Sequence, residues 1–127
     1  MPRILIADDS EFFRISLKKL IEQHHDWSVC AEAENGREAV EKAIELEPDV
    51  ILLDIQMPRL DGLSACRLIR QKVPTAKILI LTVYQSLDLA RIAADSGAWG
   101  YISKNFVSSE LIPAIEGMMN HRLVHSI

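Results

Sequence analysis

Five polar side chains could act together in a reaction, because each follows directly after a short apolar run of the chain. In chain order, the residues at these positions are Asp8 and Asp9, Asp54, Thr82 and Lys104. Carboxylates gathered in one place repel one another, so such a cluster is costly unless a cation joins it or some carboxyl pKa values rise. Mg²⁺ prefers oxygen ligands, and a carboxylate beside it can attack a phosphoryl group as a nucleophile.

The remaining two side chains suit the product of such an attack. Lys104 supplies a mobile ammonium that can pair with a new anion. Thr82 supplies a short hydroxyl that can donate one hydrogen bond to it. The residue types therefore predict a site where a carboxylate accepts a phosphoryl group beside a divalent ion.

Alternating strands and helices are expected to position these side chains. Apolar runs predict strands over 4–7, 27–33, 50–53, 78–81 and 99–102, and helical spacing predicts a first helix capped by Asp9 or Ser10. Further helices are predicted over 37–46, 63–71, 86–95 and 109–121, with Pro113 predicting a late start or a bend in the last. We interpret Asp61 and Gly62 as a turn and helix start.

This alternation predicts an α/β fold, a doubly wound parallel sheet of five strands with five helices on its two faces. In the flavodoxin-like order 2-1-3-4-5, the strand order reverses between strands one and three, and ligands bind at the carboxyl ends there. The three aspartates would meet in that crevice, with Thr82 and Lys104 on its rim.

Composition limits the possible functions. The chain has 127 residues, 49% of them hydrophobic, and a net charge of −4, which argues against direct nucleic-acid binding by this domain. Cys30 and Cys66 lie too far apart for a zinc motif. No run is long enough for a membrane span, so we expect a cytoplasmic protein. We expect one domain over 1–121 and a tail or linker remnant over 122–127.

Taken together, the strand-end residues resemble the receiver domain of two-component response regulators. The resemblance covers about 3–119 and rests on the Asp8-Asp9 pair, on Asp54 followed by Met57-Pro58 and Asp61-Gly62, on Thr82, and on Tyr101 three places before Lys104. The stretches 33–36, 81–84 and 97–101 are most similar to the NarL/FixJ/LuxR-type branch, whose members carry a C-terminal helix-turn-helix domain.

The resemblance implies a role for each matching position. Asp54 would accept a phosphoryl group from a sensor histidine kinase in a Mg²⁺-dependent reaction. Asp9 and Asp54 would be side-chain metal ligands, Asp8 would act through water, and the backbone carbonyl of Gln56 would be a third protein ligand. Thr82 would sense the phosphoryl group together with the lysine that follows the fifth strand.

Further residues and partners are implied in the same way. Tyr101 would be the aromatic switch residue, Gln56 and Tyr84 would tune the lifetime of the phosphoryl group, and Asn105 replaces a proline common in relatives. The output would be transcription through a helix-turn-helix domain not present in these residues, with a homodimer possible on phosphorylation. The domain itself would not be an enzyme.

Three alternatives remain open from the residues. A phosphohydrolase would need an acid two places after its nucleophile, where Gln56 stands. A flavin or nucleotide binder would need a glycine-rich first loop, but that loop begins Asp8-Asp9-Ser10. A receiver that acts as a docking module without phosphorylation would be consistent with the same fold.

Overall fold

Six strands form one parallel sheet in the computed structural model, which describes residues 2–83, 88–120 and the backbone of 124–125. The order is β2-β1-β3-β4-β5-β6. The strands are β1 (Arg3–Ala7), β2 (Ser28–Ala33), β3 (Val50–Asp54), β4 (Lys77–Thr82), β5 (Gly100–Ser103) and β6 (Val124–His125). The predicted order 2-1-3-4-5 is confirmed, and the two-residue β6 extends it within the predicted tail.

Helices alternate with the strands, as predicted. Within the described residues they are α1 (Glu11–Glu22), α2 (Gly36–Leu46), α3 (Gly62–Lys72), α4 (Leu89–Asp95) and α5 (Val107–Met119), with a 3-10 turn over Lys104–Phe106. The predicted start of the fourth helix at 86 lies outside the described residues. No helix in the described part of the chain is long and apolar enough to cross a membrane.

Two apolar cores cover the two faces of the sheet. One contains Leu5 and Leu53 together with buried residues of α2, α3 and α4, and the other contains Ile4 and Leu52 together with buried residues of α1 and α5. Alternate residues of one strand face opposite cores. This explains why β1 and β3 are continuous apolar runs, since neither face of the central strands meets water.

The strand register aligns the carboxyl ends of the central strands. Ala7 lies opposite Leu53, and Thr82 lies opposite Ser103. Asp54, the last residue of β3, lies opposite Leu81. The residues that follow these positions therefore emerge at one edge of the sheet, where the strand order reverses between β1 and β3.

The last helix starts earlier than predicted. The prediction at Pro113 was a late start or a bend. The late start was wrong, because α5 begins at Val107 and contains Pro113, and the bend stays a prediction. The hydroxyl of Ser103 accepts the N–H of Asn105, and the 3-10 turn leads directly into the helix. Proline removes one backbone hydrogen bond inside the helix, but burial of Leu111 and Ile115 holds the segment against the sheet.

Candidate functional site

Three aspartates meet at the carboxyl edge of the sheet. Carboxylate oxygens of Asp8, Asp9 and Asp54 all lie within 4.8 Å of one another. Asp8 follows β1 and is fully buried, Asp54 ends β3 and is 5% exposed, and Asp9 is exposed. The cluster is therefore open to solvent on the side of Asp9 and closed on the side of the sheet.

The ammonium of Lys104 lies inside this cluster. Its Nζ is 2.7 Å from Oδ2 of Asp8 and 3.3 Å from Oδ2 of Asp54. The same Nζ lies 4.6 Å from the centre of the Phe13 ring, a distance at which the ring face attracts a cation. Lys104 begins the 3-10 turn after β5, so the register of β5 places its side chain at the crevice.

The carboxyl of Asp54 has a raised pKa, at about 6. Burial is the main cause because it disfavours the charged form, and the neighbouring charge of Asp8 adds to it. The ammonium of Lys104 and the N–H of Gln56, which lies 3.3 Å from Oδ1, lower the pKa but do not offset the rise. A cation added to the cluster would therefore favour the ionised form of Asp54.

The donor set of the cluster suits a hard divalent cation. Oδ1 of Asp8 accepts the N–H of Ser10 at 2.8 Å. Oδ2 of Asp8 is buried and has no aligned hydrogen bond, although it lies in ion-pair distance of Lys104. Three carboxylates also exceed the charge of one ammonium. An oxygen-rich, negatively charged and partly exposed site fits Mg²⁺.

The loop after Asp54 is held close to that residue by a glycine. The N–H of Gly62 donates to the carbonyl of Ile55 at 3.0 Å. A Cβ at this position would collide with the carbonyl oxygen of Asp54. Asp61 caps α3, since its carboxylate accepts the N–H of Ser64. The predicted turn and helix start at Asp61-Gly62 is confirmed.

The other predicted residues lie near this edge on β4 and β5. Thr82 is fully buried at the end of β4. Tyr101 is half-buried and packs against the core formed with α2, α3 and α4. The roles of both residues, and that of the Gln56 carbonyl, remain predictions. Tyr84 lies outside the described residues.

Two residues of α1 contribute contacts that the sequence analysis did not anticipate. Phe13 lies in the first turn of α1, and its ring contacts the ammonium of Lys104, which follows β5 along the chain. Arg14 is buried, and its Nη1 donates to the carbonyl of Asp8 at 2.7 Å. A signal existed for Arg14, because it falls three residues before Leu17 and seven before Ile21, on the apolar face of the helix.

Comparison with known proteins identifies the family. The model of the response regulator receiver domain matches residues 4–116. The chain is 38% identical over 115 residues to the transcriptional regulatory protein LnrK of Bacillus subtilis, covering 91% of this chain and 52% of LnrK. It is 39% identical over 116 residues to the chemotaxis protein CheY of Listeria monocytogenes, covering 91% of this chain and 97% of that protein.

A solved structure agrees with these relatives. A two-component response regulator of the LuxR family from Aurantimonas superimposes with a TM-score of 0.93 at 35% identity, covering 99% of this chain and 89% of that one. The chain spans about half the length of LnrK. Fold, site geometry and sequence therefore agree that the chain belongs to the family of response regulator receiver domains, the receiver modules of two-component systems.

Proposed function

We propose that Asp54 accepts a phosphoryl group from a sensor histidine kinase in a Mg²⁺-dependent reaction, and that the product switches an output. The observation that carries this proposal is the position of Asp54. Its carboxylate ends β3, lies beside Asp8 and Asp9, and is 3.3 Å from the ammonium of Lys104. A buried carboxylate with two acids and a cation beside it suits a phosphoacceptor.

The transfer forms one bond and breaks another. An ionised oxygen of Asp54 attacks the phosphorus of a phosphohistidine in line, the O–P bond forms, and the P–N bond breaks as the imidazole leaves. Because the pKa of Asp54 is about 6, most of its carboxyl is ionised at pH 7. Lys104 reduces the repulsion between this carboxylate and the incoming phosphoryl oxygens.

The metal would be held by this chain's carboxylates. Asp9 and Asp54 would bind it through their side chains, Gln56 through its backbone carbonyl, and Asp8 through water. A bound Mg²⁺ neutralises charge on the phosphoryl oxygens and on the carboxylates. The charge balance of the cluster supports this assignment, because Lys104 is the ammonium paired with both Asp8 and Asp54, and one ammonium does not balance three neighbouring carboxylates.

The phosphorylated site would act as a switch. Phosphorylation replaces a carboxylate by a group with about two negative charges. The hydroxyl of Thr82 and the ammonium of Lys104 then move toward it, and Tyr101 turns inward. This changes the face formed by α4, β5 and α5, which biases a two-state element.

The output is proposed to be transcription. LnrK is a transcriptional regulatory protein, and the superimposed Aurantimonas regulator belongs to the LuxR family. On this basis we propose a C-terminal helix-turn-helix DNA-binding domain as the output module and a homodimer as the phosphorylated form. The receiver domain would act in the cytoplasm as a phosphoacceptor, not as an enzyme that turns over an external substrate.

Two exposed aromatic side chains support docking of a kinase at this edge. Phe12 lies in the first turn of α1 and is 79% exposed, and Phe106 lies in the turn after Lys104 and is 40% exposed. Aromatic residues at the centre of an interface contribute much of its binding energy. Both flank the loops that carry the acidic cluster, where a phosphohistidine must approach.

The proposal is tested with a small phosphodonor. The protein is incubated with acetyl phosphate, with Mg²⁺ or with a chelator, and weighed intact by mass spectrometry. One Mg²⁺-dependent phosphoryl adduct is expected, and it should be lost in Asp54→Asn. Asp61→Asn is a matched control, because Asp61 is an exposed capping residue outside the cluster. Absence of an adduct under every condition would favour a docking module that needs no phosphorylation.

A further inference from the structure

Arg14 is a buried charged residue to which the proposed reaction gives no role. It is 7% exposed and lies on the face of α1 that also buries Leu17 and Ile21. Arginine is almost never buried without partners, because its charge cannot be neutralised by loss of a proton. The partners of the guanidinium therefore indicate why a cation occupies an apolar face.

The guanidinium joins α1 to the end of β1 and to β2. Its Nη1 donates to the backbone carbonyl of Asp8 at 2.7 Å, in a buried hydrogen bond. Its Nε lies 3.1 Å from Oε1 of Glu32, and its Nη2 lies 3.7 Å from Oε1 of Glu34. The two glutamates pair with the guanidinium through Nε and Nη2, and the carbonyl of Asp8 accepts a hydrogen bond from Nη1.

The carbonyl that Arg14 holds belongs to the peptide unit joining Asp8 to Asp9. The N–H of Asp8 donates to the carbonyl of Ala33 at 3.0 Å, and Oδ1 of Asp8 accepts the N–H of Ser10. Arg14 supplies the contact that fixes the orientation of the following peptide plane. The orientation of that peptide plane determines the direction in which the backbone enters Asp9, the exposed member of the cluster.

We propose that Arg14 is a positioning residue, which holds the peptide between Asp8 and Asp9 in the orientation that binds a divalent cation. The inference rests on the proposed function, since it assumes that the acidic cluster binds Mg²⁺. Groups that orient metal ligands without touching the metal often change its affinity by about 10- to 100-fold. Arg14 acts here through the backbone of its two acidic neighbours.

The sign of the effect separates positioning from simple electrostatics. Arg14 is a positive charge close to the cluster, so its removal by charge alone would strengthen cation binding. Loss of positioning would weaken it, because the Asp8–Asp9 peptide would be free to rotate. Arg14→Gln removes the positive charge and most of the N–H donors of the guanidinium. Electrostatics alone therefore predicts a lower Mg²⁺ dissociation constant, and loss of positioning predicts a higher one.

The test measures binding of Mg²⁺ alone to the whole chain. Amide resonances of Asp9 and Ser10 are followed by NMR during Mg²⁺ titration, at a temperature where each variant is folded by its own spectrum. Arg14→Gln is expected to raise the Mg²⁺ dissociation constant about tenfold. Arg14→Lys should show an intermediate value, since one ammonium cannot hold both Asp8 and Glu32 as a planar fork does.

Lys18→Gln is the matched control. It removes the same charge from the same helix. The ammonium of Lys18 lies 4.0 Å from Oε2 of Glu32, but Lys18 is 44% exposed and this ion pair does not involve Asp8. Its Mg²⁺ dissociation constant should stay within about twofold of the unaltered protein. If Arg14→Gln does not fold, Arg14→Lys serves the comparison. It keeps the positive charge and removes the planar guanidinium, so weaker Mg²⁺ binding in this variant reports the loss of positioning.

The outcomes separate the inference from the proposed function. Weaker Mg²⁺ binding in the Arg14 variants, with Lys18→Gln unchanged, supports the inference. Equal or tighter binding in the Arg14 variants, with Mg²⁺ bound normally by the unaltered protein, overturns the inference and leaves the proposed function intact. No Mg²⁺ binding by the unaltered protein overturns both the metal assignment and the inference.

Discussion

Lys104 forms its shortest ion pair with Asp8, where Nζ lies 2.7 Å from Oδ2 of a fully buried carboxylate. The distance to Asp54 is longer, at 3.3 Å. In the unphosphorylated domain the lysine therefore compensates the deepest acid of the cluster. A phosphoryl group on Asp54 would draw the ammonium away from Asp8, and a divalent cation would then be needed to balance that carboxylate.

Removal of the lysine should strengthen metal binding. The ammonium of Lys104 competes with a cation for Asp8 and Asp54, so Lys104→Met should lower the Mg²⁺ dissociation constant several-fold, with a larger change at low salt. The measurement is an NMR titration with Mg²⁺. Lys77→Met, at the opposite end of β4, is the control and should leave the constant unchanged. Weaker binding in Lys104→Met would contradict this competition.

Asp54 should destabilise the metal-free domain at neutral pH. Because its pKa rises from the ordinary value of 3.8 to about 6, ionisation in the folded state costs roughly 3 kcal/mol. The folded state keeps the Asp54 proton up to a higher pH than the unfolded state does. The cost of ionisation is therefore absent below about pH 4 and complete above about pH 6. Asp54→Asn should therefore increase the free energy of unfolding at pH 7 by up to about 3 kcal/mol.

Urea denaturation without Mg²⁺ checks this expectation. The gain from Asp54→Asn should shrink as the pH falls from 7 to 4.5. Asp61→Asn should instead decrease the free energy of unfolding at pH 7. The hydrogen bond from the N–H of Ser64 lowers the pKa of Asp61, so the Asp61 carboxylate stabilises the fold above its unfolded pKa. A gain from Asp54→Asn that does not change with pH would rule out ionisation as its cause.

The glycine behind Asp54 should be sensitive to the smallest substitution. A methyl group in Gly62→Ala would meet the carbonyl oxygen of Asp54. We expect a loss of about 1–3 kcal/mol in stability, as for other overpacked sites, and slower phosphorylation by acetyl phosphate in the protein that remains folded. Phosphorylation rates are compared by intact mass after correction for the folded fraction.

Gly97→Ala controls for a loss of stability alone. Gly97 has a φ of 94°, which side chains rarely adopt, and it lies before the amino end of β5, at the opposite edge of the sheet. This variant should lose stability but phosphorylate at the rate of the unaltered domain. Equal rates in both variants would show that the backbone packing at Gly62 does not position Asp54.

Phe12 should affect the kinase reaction without affecting the chemistry of Asp54. With a cognate kinase, Phe12→Ala should slow phosphotransfer about tenfold or more, because exposed aromatic residues often dominate an interface. With acetyl phosphate, the rate should not change. Ile44→Ala is the control, since Ile44 is an exposed apolar residue of α2. Slower reaction with both donors would place the effect of Phe12 in the site itself.

The strands and the acidic cluster were predictable because their signals are local. Val50 to Leu53 is a continuous apolar run, and burial on both faces explains both the run and the parallel sheet. The position of Asp54 could be predicted from this run, because a charged side chain is expected where a buried apolar strand ends. Parallel order then brings Asp8 to the same edge without any need for atomic detail.

The contacts of α1 and the start of α5 depended on longer-range packing. The glutamate partner of Arg14 lies 18 residues away on β2, and no local pattern shows that an arginine on an apolar face will reach a backbone carbonyl. Ser103 caps the 3-10 turn that leads into α5, and the apolar contacts of Leu111 outweigh the hydrogen bond that Pro113 removes from the helix. The short β6 depends on pairing with the edge of β5.

The position of the phosphoryl group tests the central claim most directly. The chain is phosphorylated with acetyl phosphate and Mg²⁺, the acyl phosphate is reduced with borohydride to convert the modified aspartate to homoserine, and peptides are sequenced by mass spectrometry. We predict homoserine at position 54, and not at Asp8 or Asp9. Homoserine at another aspartate, or a phosphorylated histidine with Asp54 unmodified, would contradict the assignment of Asp54 as the phosphoacceptor.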